Sequence, residues 1–495
     1  MLHLRIHQLV LLTLLTTVAG SAAAQGPPAA GSLFLAPERF YLEDGSLGVA
    51  ERGLLFSPVV RSKPESGVLA VEVYRFRAAS EAPDDAPPLF LLNGGPGYPG
   101  LAGRLHDAGF YERRIAPYTT LGDVVVLGQR GIGSSWPNTV CASSGPMAMA
   151  GKLCREHWED SGLDLQGFTV IEAAADVRDA AKALGYERIR LEGGSFGSHW
   201  AMAVLRFHPE LVERAVLHGL EGPDHTYDSA SGLLASLERL AATAESSERL
   251  REYIPEGGLI AGFERTLDQA RKGPVTVTVD HPTTGEATEM RFALMQVQNM
   301  IFGTTRRVGS RRSAPSWPAD LIALANGDFT RAALSELASD SGEDDEGPSV
   351  EDLRTASFFM LDCSSGITEE RLDRLNSDPA NRLVGNPSIM YQMACGAWDA
   401  DLGDDFRTGF STDIPTAIVH GDWDISTPYD NALELAPSFS RGKLVTVVGG
   451  SHGALREAYE EGEGFRDALF TFLRTGDLDV LPEKVVLPEI EWEIP

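Results

Sequence analysis

The feature that most constrains this chain is the break between an apolar run at residues 188–191 and a helix-forming stretch at 199–207. Between them lies Gly193-Gly194-Ser195-Phe196-Gly197, a G-x-S-x-G pattern. The pattern predicts a strand, a very sharp turn and a helix, with the serine at the turn. Small neighbours are needed there because the backbone must close on itself without a clash. A serine held this way is exposed at the end of a strand and becomes a candidate nucleophile.

A nucleophilic serine needs a base to take its proton and an acid to orient that base, in the chain order Ser, Asp or Glu, His. Residues 414–420 read as a buried strand and run into Gly421-Asp422-Trp423-Asp424. Two acids compete there, and a lone Asp in such a loop more commonly caps the following helix. A second apolar run, 443–448, ends in Gly449-Gly450-Ser451-His452-Gly453, and His452 is the only histidine after Asp424. Three polar residues, each just past an apolar strand and in the right order, point to a Ser-Asp-His set. Residues 88–92 form a further short apolar strand, followed by Asn93-Gly94-Gly95-Pro96-Gly97. A loop of this kind offers the backbone N–H of Gly95 or Gly94 to a developing oxyanion, with Phe196, next to the nucleophile, as the second donor. A phosphate-cradling loop is excluded, since no Gly-Lys-Ser/Thr follows and no G-x-G-x-x-G opens a helix.

With these residues in view, the chain resembles the prolyl aminopeptidase-like serine peptidases of the α/β-hydrolase fold, closest to the secreted tripeptidyl-aminopeptidase branch. The family's N-G-G-P-G loop matches Asn93 to Gly97, and its G-G-S-x-G elbow matches Gly193 to Gly197. Its D-Q-R-G-x-G-x-S segment is similar to Gly128-Gln129-Arg130-Gly131-Ile132-Gly133-Ser134-Ser135, with Gly128 where the family has Asp. In its G-x-x-D-x-x-x-P pattern the acid stands three residues after the glycine, so the resemblance selects Asp424 over Asp422. The terminal G-x-x-H-G is Gly449 to Gly453. The resemblance therefore implies Ser195, Asp424 and His452 as the triad and no metal or organic cofactor.

Strands at 68–76, 89–92, 123–127, 188–191 and 215–218, alternating with helical stretches such as 172–184, indicate a mostly parallel sheet with helices on both faces. The fold class expected is α/β, with the α/β-hydrolase core split into residues 32–220 and 411–495. Between them, 221–410 carries helical patterns at 233–250 and 321–337 and a possible hairpin at 275–279 and 288–292. This insertion between nucleophile and acid reads as a largely helical cap domain over the site, and such caps limit substrate size. The stretch 339–348 is a solvated acidic loop.

Residues 1–24 read as a secretory signal peptide, with a basic start, an apolar stretch too short to span a bilayer comfortably and a small-residue cleavage site after Ala24. The expected address is secreted or periplasmic. Four cysteines, Cys141, Cys154, Cys363 and Cys395, allow three disulfide pairings. Proximity favours Cys141 with Cys154 and Cys363 with Cys395, and the resemblance supports the same pairs. No C-x-x-C spacing suggests a metal. A formal net charge of −29 argues against nucleic acid, whose phosphates need Lys and Arg patches, and against attraction to anionic membranes.

Function is then expected to be serine hydrolysis, by an aminopeptidase acting on peptides with a free N-terminus. Such an enzyme must recognise an α-ammonium, and Glu221, Asp224 and Asp228 follow the strand after the elbow helix as candidates. The rival is a carboxylesterase acting on small esters with the same triad.

Overall fold

The computed structural model describes residues 28–101, 104–141, 147–306, 317–340, 355–398 and 400–495. The leader expected over 1–24 lies outside them, as does nearly all of the acidic stretch 339–348. Seven strands precede the insertion: β1 (Leu33–Tyr41), β2 (Leu47–Pro58), β3 (Val68–Phe76), β4 (Leu89–Leu92), β5 (Val124–Leu127), β6 (Ile189–Gly194) and β7 (Val212–His218). Within it lie β8 (Val275–Asp280) and β9 (Ala287–Phe292), and after it β10 (Thr416–Gly421), β11 (Gly442–Val448) and β12 (Lys484–Val486). Ten of these form one sheet, in the order β1-β2-β3-β5-β4-β6-β7-β10-β11-β12. The first three and β5 pair antiparallel. From β5 to β12 every pairing is parallel.

The parallel strands are short apolar runs because both their faces are covered. All four residues of β5 are buried, and so are all six of β6 and of β10. Successive side chains go to opposite faces, so Val125 and Leu127 join one apolar cluster while Val124 and Val126 join the other. The first cluster packs under the helices Val170–Leu184 and Phe196–Phe207, and the second under Ala454–Glu461 and Phe465–Thr475. Thr169 caps the first of these helices by accepting from the Glu172 N–H, and left-handed Gly185 ends it. That helix begins two residues before the expected start.

Val68–Phe76 is the third strand in chain order, preceded by two that the apolar pattern does not mark. The two strands before it are half exposed, with apolar and polar residues mixed along each, so their signal is weaker than that of a buried run. The helix expected over 321–337 is two helices, Trp317–Ala325 and Thr330–Asp340. The break falls at Gly327, whose φ of +77° is a conformation that favours glycine.

The insertion between β7 and β10 divides by packing. The helices Ala230–Ser246, Gly258–Lys272 and Trp317–Ala325 share a separate apolar cluster with the hairpin of β8 and β9. The helix Ala356–Ser365 and residues of 394–398 and 400–410 instead join the cluster on the elbow-helix face of the main sheet. Disulfides link Cys141 to Cys154 and Cys363 to Cys395, which points to an oxidising compartment. Among the described residues, no helix is long and apolar enough to cross a membrane.

Candidate active site

Strand β6 delivers Ser195 to the carboxyl end of the sheet. Ser195 is the only described residue other than glycine with positive φ, at +57°. Its neighbours must be glycines: a Cβ on Gly193 would stand 2.2 Å from the Gly197 carbonyl oxygen, and one on Gly197 would stand 2.1 Å from that of Leu92. The turn is tied by the Ser195 N–H donating to the His218 carbonyl at 3.0 Å. The Ser198 hydroxyl donates to the Ser195 carbonyl at 2.7 Å and accepts from the Glu221 N–H at 2.9 Å. The buried helix Phe196–Phe207 starts at once, so its amino end, with N–H groups lacking helical partners, faces the serine.

The glycine loop after β4 lies against this elbow. A Cβ on Gly94 would stand 3.5 Å from the Ser195 Oγ. Gln129 clamps the loop: its Nε2 donates to the carbonyls of Asn93 (3.0 Å) and Gly94 (2.9 Å), and its Oε1 accepts from the Gly97 N–H (2.8 Å). Gln129 is itself anchored through its neighbour. Arg130 is fully buried, and all five of its N–H donors are used, on both carboxylate oxygens of Asp176 and on the carbonyls of Pro58, Val59 and Gly167. A buried guanidinium is tolerated only when it is satisfied in this way. At Gly128, where the resembled family has Asp, a side chain would begin 3.2 Å from the Cβ of buried Glu72 of β3. Glu72 pairs with Arg52 at 2.8 Å.

Asp424 follows β10 and is 1% exposed. Its carboxylate meets the His452 Nδ1 at 2.9 and 3.0 Å, and accepts from the N–H of Ser426 and of Thr427 and from the Thr427 hydroxyl. Burial alone would raise this carboxyl, but the adjacent His452 charge and hydrogen bond outweigh it and hold it below the ordinary aspartate range. Burial likewise opposes charge on His452, and the Asp424 carboxylate reverses the effect, so the imidazole sits above its ordinary value; Asp228 and Glu457 add to the rise. Asp422 serves another purpose. Its Oδ1 accepts from the Gly449 N–H at 2.8 Å and so braces the loop that carries His452.

The His452 ring packs against Gly219, which follows His218 in the chain. A Cβ on Gly219 would be 2.8 Å from the His452 Cε1, and the carbonyl of the preceding residue, His218, holds the Ser195 N–H. Sequence reasoning missed His420 and Thr427. His420 is fully buried; its Nδ1 accepts from the Leu220 N–H and its Nε2 donates to the Thr427 carbonyl, which fixes a neutral tautomer joining the β7 loop to the acid turn. It also missed Gln129 as a clamp, although the residue stands in a quoted motif.

The acids expected to meet a substrate amine separate. Asp224 spends both oxygens on the N–H and hydroxyl of Thr368, each at 2.7 Å, and so secures the cap of the helix Glu369–Asn376. Glu221 remains beside the site: burial raises its carboxyl well above the ordinary value, and the charges of Asp362 and Asp228 raise it further. Asp362, on the helix Ala356–Ser365, carried no sequence signal. Among the described residues, no group of three or more His, Cys, Asp or Glu side chains is arranged to hold a metal.

A parallel sheet with an antiparallel flank, a strand–serine–helix elbow at β6, and an acid and a histidine past the ends of the parallel neighbours β10 and β11 define a hydrolase of the α/β fold. A family model described as TAP-like protein matches residues 381–484, the stretch that bears Asp424 and His452. No curated protein matches the chain. Among solved structures, the chain is similar to a proline iminopeptidase-related protein from Thermus thermophilus, at 19% identity and TM-score 0.33, with 87% of this chain and 99% of that one covered. It is similar to a serine hydrolase from the bacterium Cycloclasticus zankles at 14% identity and TM-score 0.37, with 86% and 99% covered. A thermophilic esterase from Thermogutta terrifontis is 12% identical at TM-score 0.34, with 87% and 99% covered. At these scores none of the three bears on substrate.

Proposed function

We propose that this protein is an exported serine aminopeptidase that cleaves peptides near a free N-terminus. The observation that carries the reading is the acidic group beside the triad: Glu221 feels the charges of both Asp362 and Asp228, and Asp228 also acts on His452. Mutually repelling carboxylates next to a nucleophile suit a substrate that brings an ammonium group. The chain's net charge of −29 favours the approach of such a group.

In this reading the Ser195 Oγ attacks the scissile carbonyl while the His452 Nε2 takes its proton. Asp424, on the Nδ1 side, holds the tautomer and stabilises the imidazolium. The N–H groups of Phe196 and of Gly95 or Gly94 receive the oxyanion, each such donor being worth about 3 kcal/mol in the transition state. His452 then protonates the leaving amine, and a water activated by the same histidine hydrolyses the acyl-enzyme, returning the proton to Ser195. The cap and the helix Ala356–Ser365 limit how much peptide lies on the acyl side.

The test is to incubate the protein with matched free and N-acetylated peptides and follow the products by mass spectrometry. Short N-terminal fragments released only from the free-amine peptides are expected. No peptide cleavage, with hydrolysis of simple esters retained, would replace this reading with a carboxylesterase.

A further inference from the structure

A cleft of about 550 Å³ opens at the far end of the sheet, at the amino ends of β6, β7 and β10, with Arg188, Arg214 and Arg441 in its walls. Ser195, Asp424 and His452 occupy the carboxyl ends of strands in the same sheet, so this cleft has no part in hydrolysis. In the strand register, Arg190 of β6 stands beside Arg214 of β7. Like charges placed side by side on neighbouring strands are destabilising. These two are also buried, at 3% and 6% exposed, and the Nε of each has no hydrogen-bond partner.

The rest of each guanidinium is only partly met. Arg190 donates to the Leu121 carbonyl, while Arg214 donates to the carbonyls of Phe472 and Leu473 and pairs with Glu213. Burial, then the charge of Arg214 and that of Arg474, pull Arg190 down to about 10, against the opposing effect of Glu213. Glu210, Glu213 and Asp413 also line the cleft; Glu210 and Asp413 are exposed, as are Arg188 and Arg441, whereas Arg214 is buried and its partner Glu213 half-buried. Behind the cleft, the buried Arg190 and Arg214 thus set two guanidinium charges against the one carboxylate of Glu213, in a chain whose overall charge is strongly negative.

We propose that this cleft is a second ligand site, taking a small doubly charged oxyanion of the phosphate or sulfate class between Arg214, Arg188 and Arg441. The forked donors of a guanidinium match the oxygens of such an anion two at a time, which a spherical halide cannot exploit. Two negative charges would offset the Arg190–Arg214 repulsion that the protein otherwise carries.

The experiment compares sodium phosphate with sodium chloride at matched ionic strength, by thermal melting and titration calorimetry, on the full chain and on Arg188→Gln and Arg441→Gln. Both substitutions fall on exposed side chains, so folding should survive. Phosphate is expected to give a saturable rise in Tm that chloride does not. Each substitution should weaken phosphate roughly tenfold, the effect of one lost charge-assisted hydrogen bond, with the rate of hydrolysis unchanged. Equal stabilisation by chloride would overturn the proposal, as would a phosphate affinity untouched by both substitutions.

Discussion

Ser236, on the helix Ala230–Ser246 of the insertion, donates its hydroxyl to the backbone carbonyl of Asp424 at 2.8 Å. The residues flanking that acid, Trp423 and Ile425, are buried in the insertion's own apolar cluster. Arg239 of the same helix reaches the carbonyl of Asp422 at 3.2 Å. The turn that bears Asp424 is thus held on one side by the insertion and on the other by the sheet.

Ser236→Ala should therefore disturb a site whose substrate it does not touch. The Asp424 carbonyl would lose a buried donor, at a cost of about 1–3 kcal/mol. A lower Tm and a several-fold fall in kcat are expected together, measured by calorimetry and steady-state kinetics on one preparation. An unchanged kcat would show that the turn keeps its geometry without the insertion.

The two acids of the turn should separate cleanly. Ser195→Ala is expected to lower kcat about a millionfold, and Asp424→Asn about ten-thousandfold, because the amide favours the wrong histidine tautomer. Asp422→Asn should mainly lower Tm, since Asp422 braces Gly449 and does not meet His452. A larger kinetic loss from Asp422→Asn than from Asp424→Asn would reverse the assignment.

Gln129→Leu removes the three hydrogen bonds that hold the glycine loop. Misplacing one oxyanion donor costs roughly a hundred- to a thousandfold in kcat. The loss should fall on kcat with little change in KM, because the clamp acts on the transition-state oxyanion and not on the bound ground state. A loss confined to KM would show that the loop serves binding alone.

The pH profile follows from the raised His452 value. The imidazole must be neutral to take the serine proton, so kcat/KM should fall as pH drops through its pKa, with a midpoint above the 6.5 of an ordinary histidine. Asp424→Asn removes the carboxylate that stabilises the charged ring, and the midpoint should move down. A midpoint that stayed in place would mean that another group sets the acid limb.

The core of the site was legible in the sequence because each part is made by a local device. The elbow needs Gly193, Gly194 and Gly197 around Ser195, and Asp424 and His452 each stand in a turn just past an apolar strand. Period and apolar content likewise mark β4, β5, β10 and β11. Asp424 could be told from Asp422 only through the family pattern, since both stand in the same turn and differ in where their side chains point. Arrangements that join distant parts of the chain left no such mark. Asp224 and Glu221 look alike in the sequence, yet Asp224 accepts from the N–H and the hydroxyl of Thr368, far along the chain.

What the sequence by itself determined is the α/β sheet and the three residues at its carboxyl ends, because buried strands and tight turns depend on neighbours one to five residues away. Only the tertiary structure decided that Gln129 clamps the glycine loop, that His420 and Thr427 lock the acid turn, that Asp362 joins Glu221, and that Arg190 lies beside Arg214. Those pairings depend on strand order and on the path of the insertion, which bring side chains separated by tens to hundreds of residues within hydrogen-bonding or Coulomb range.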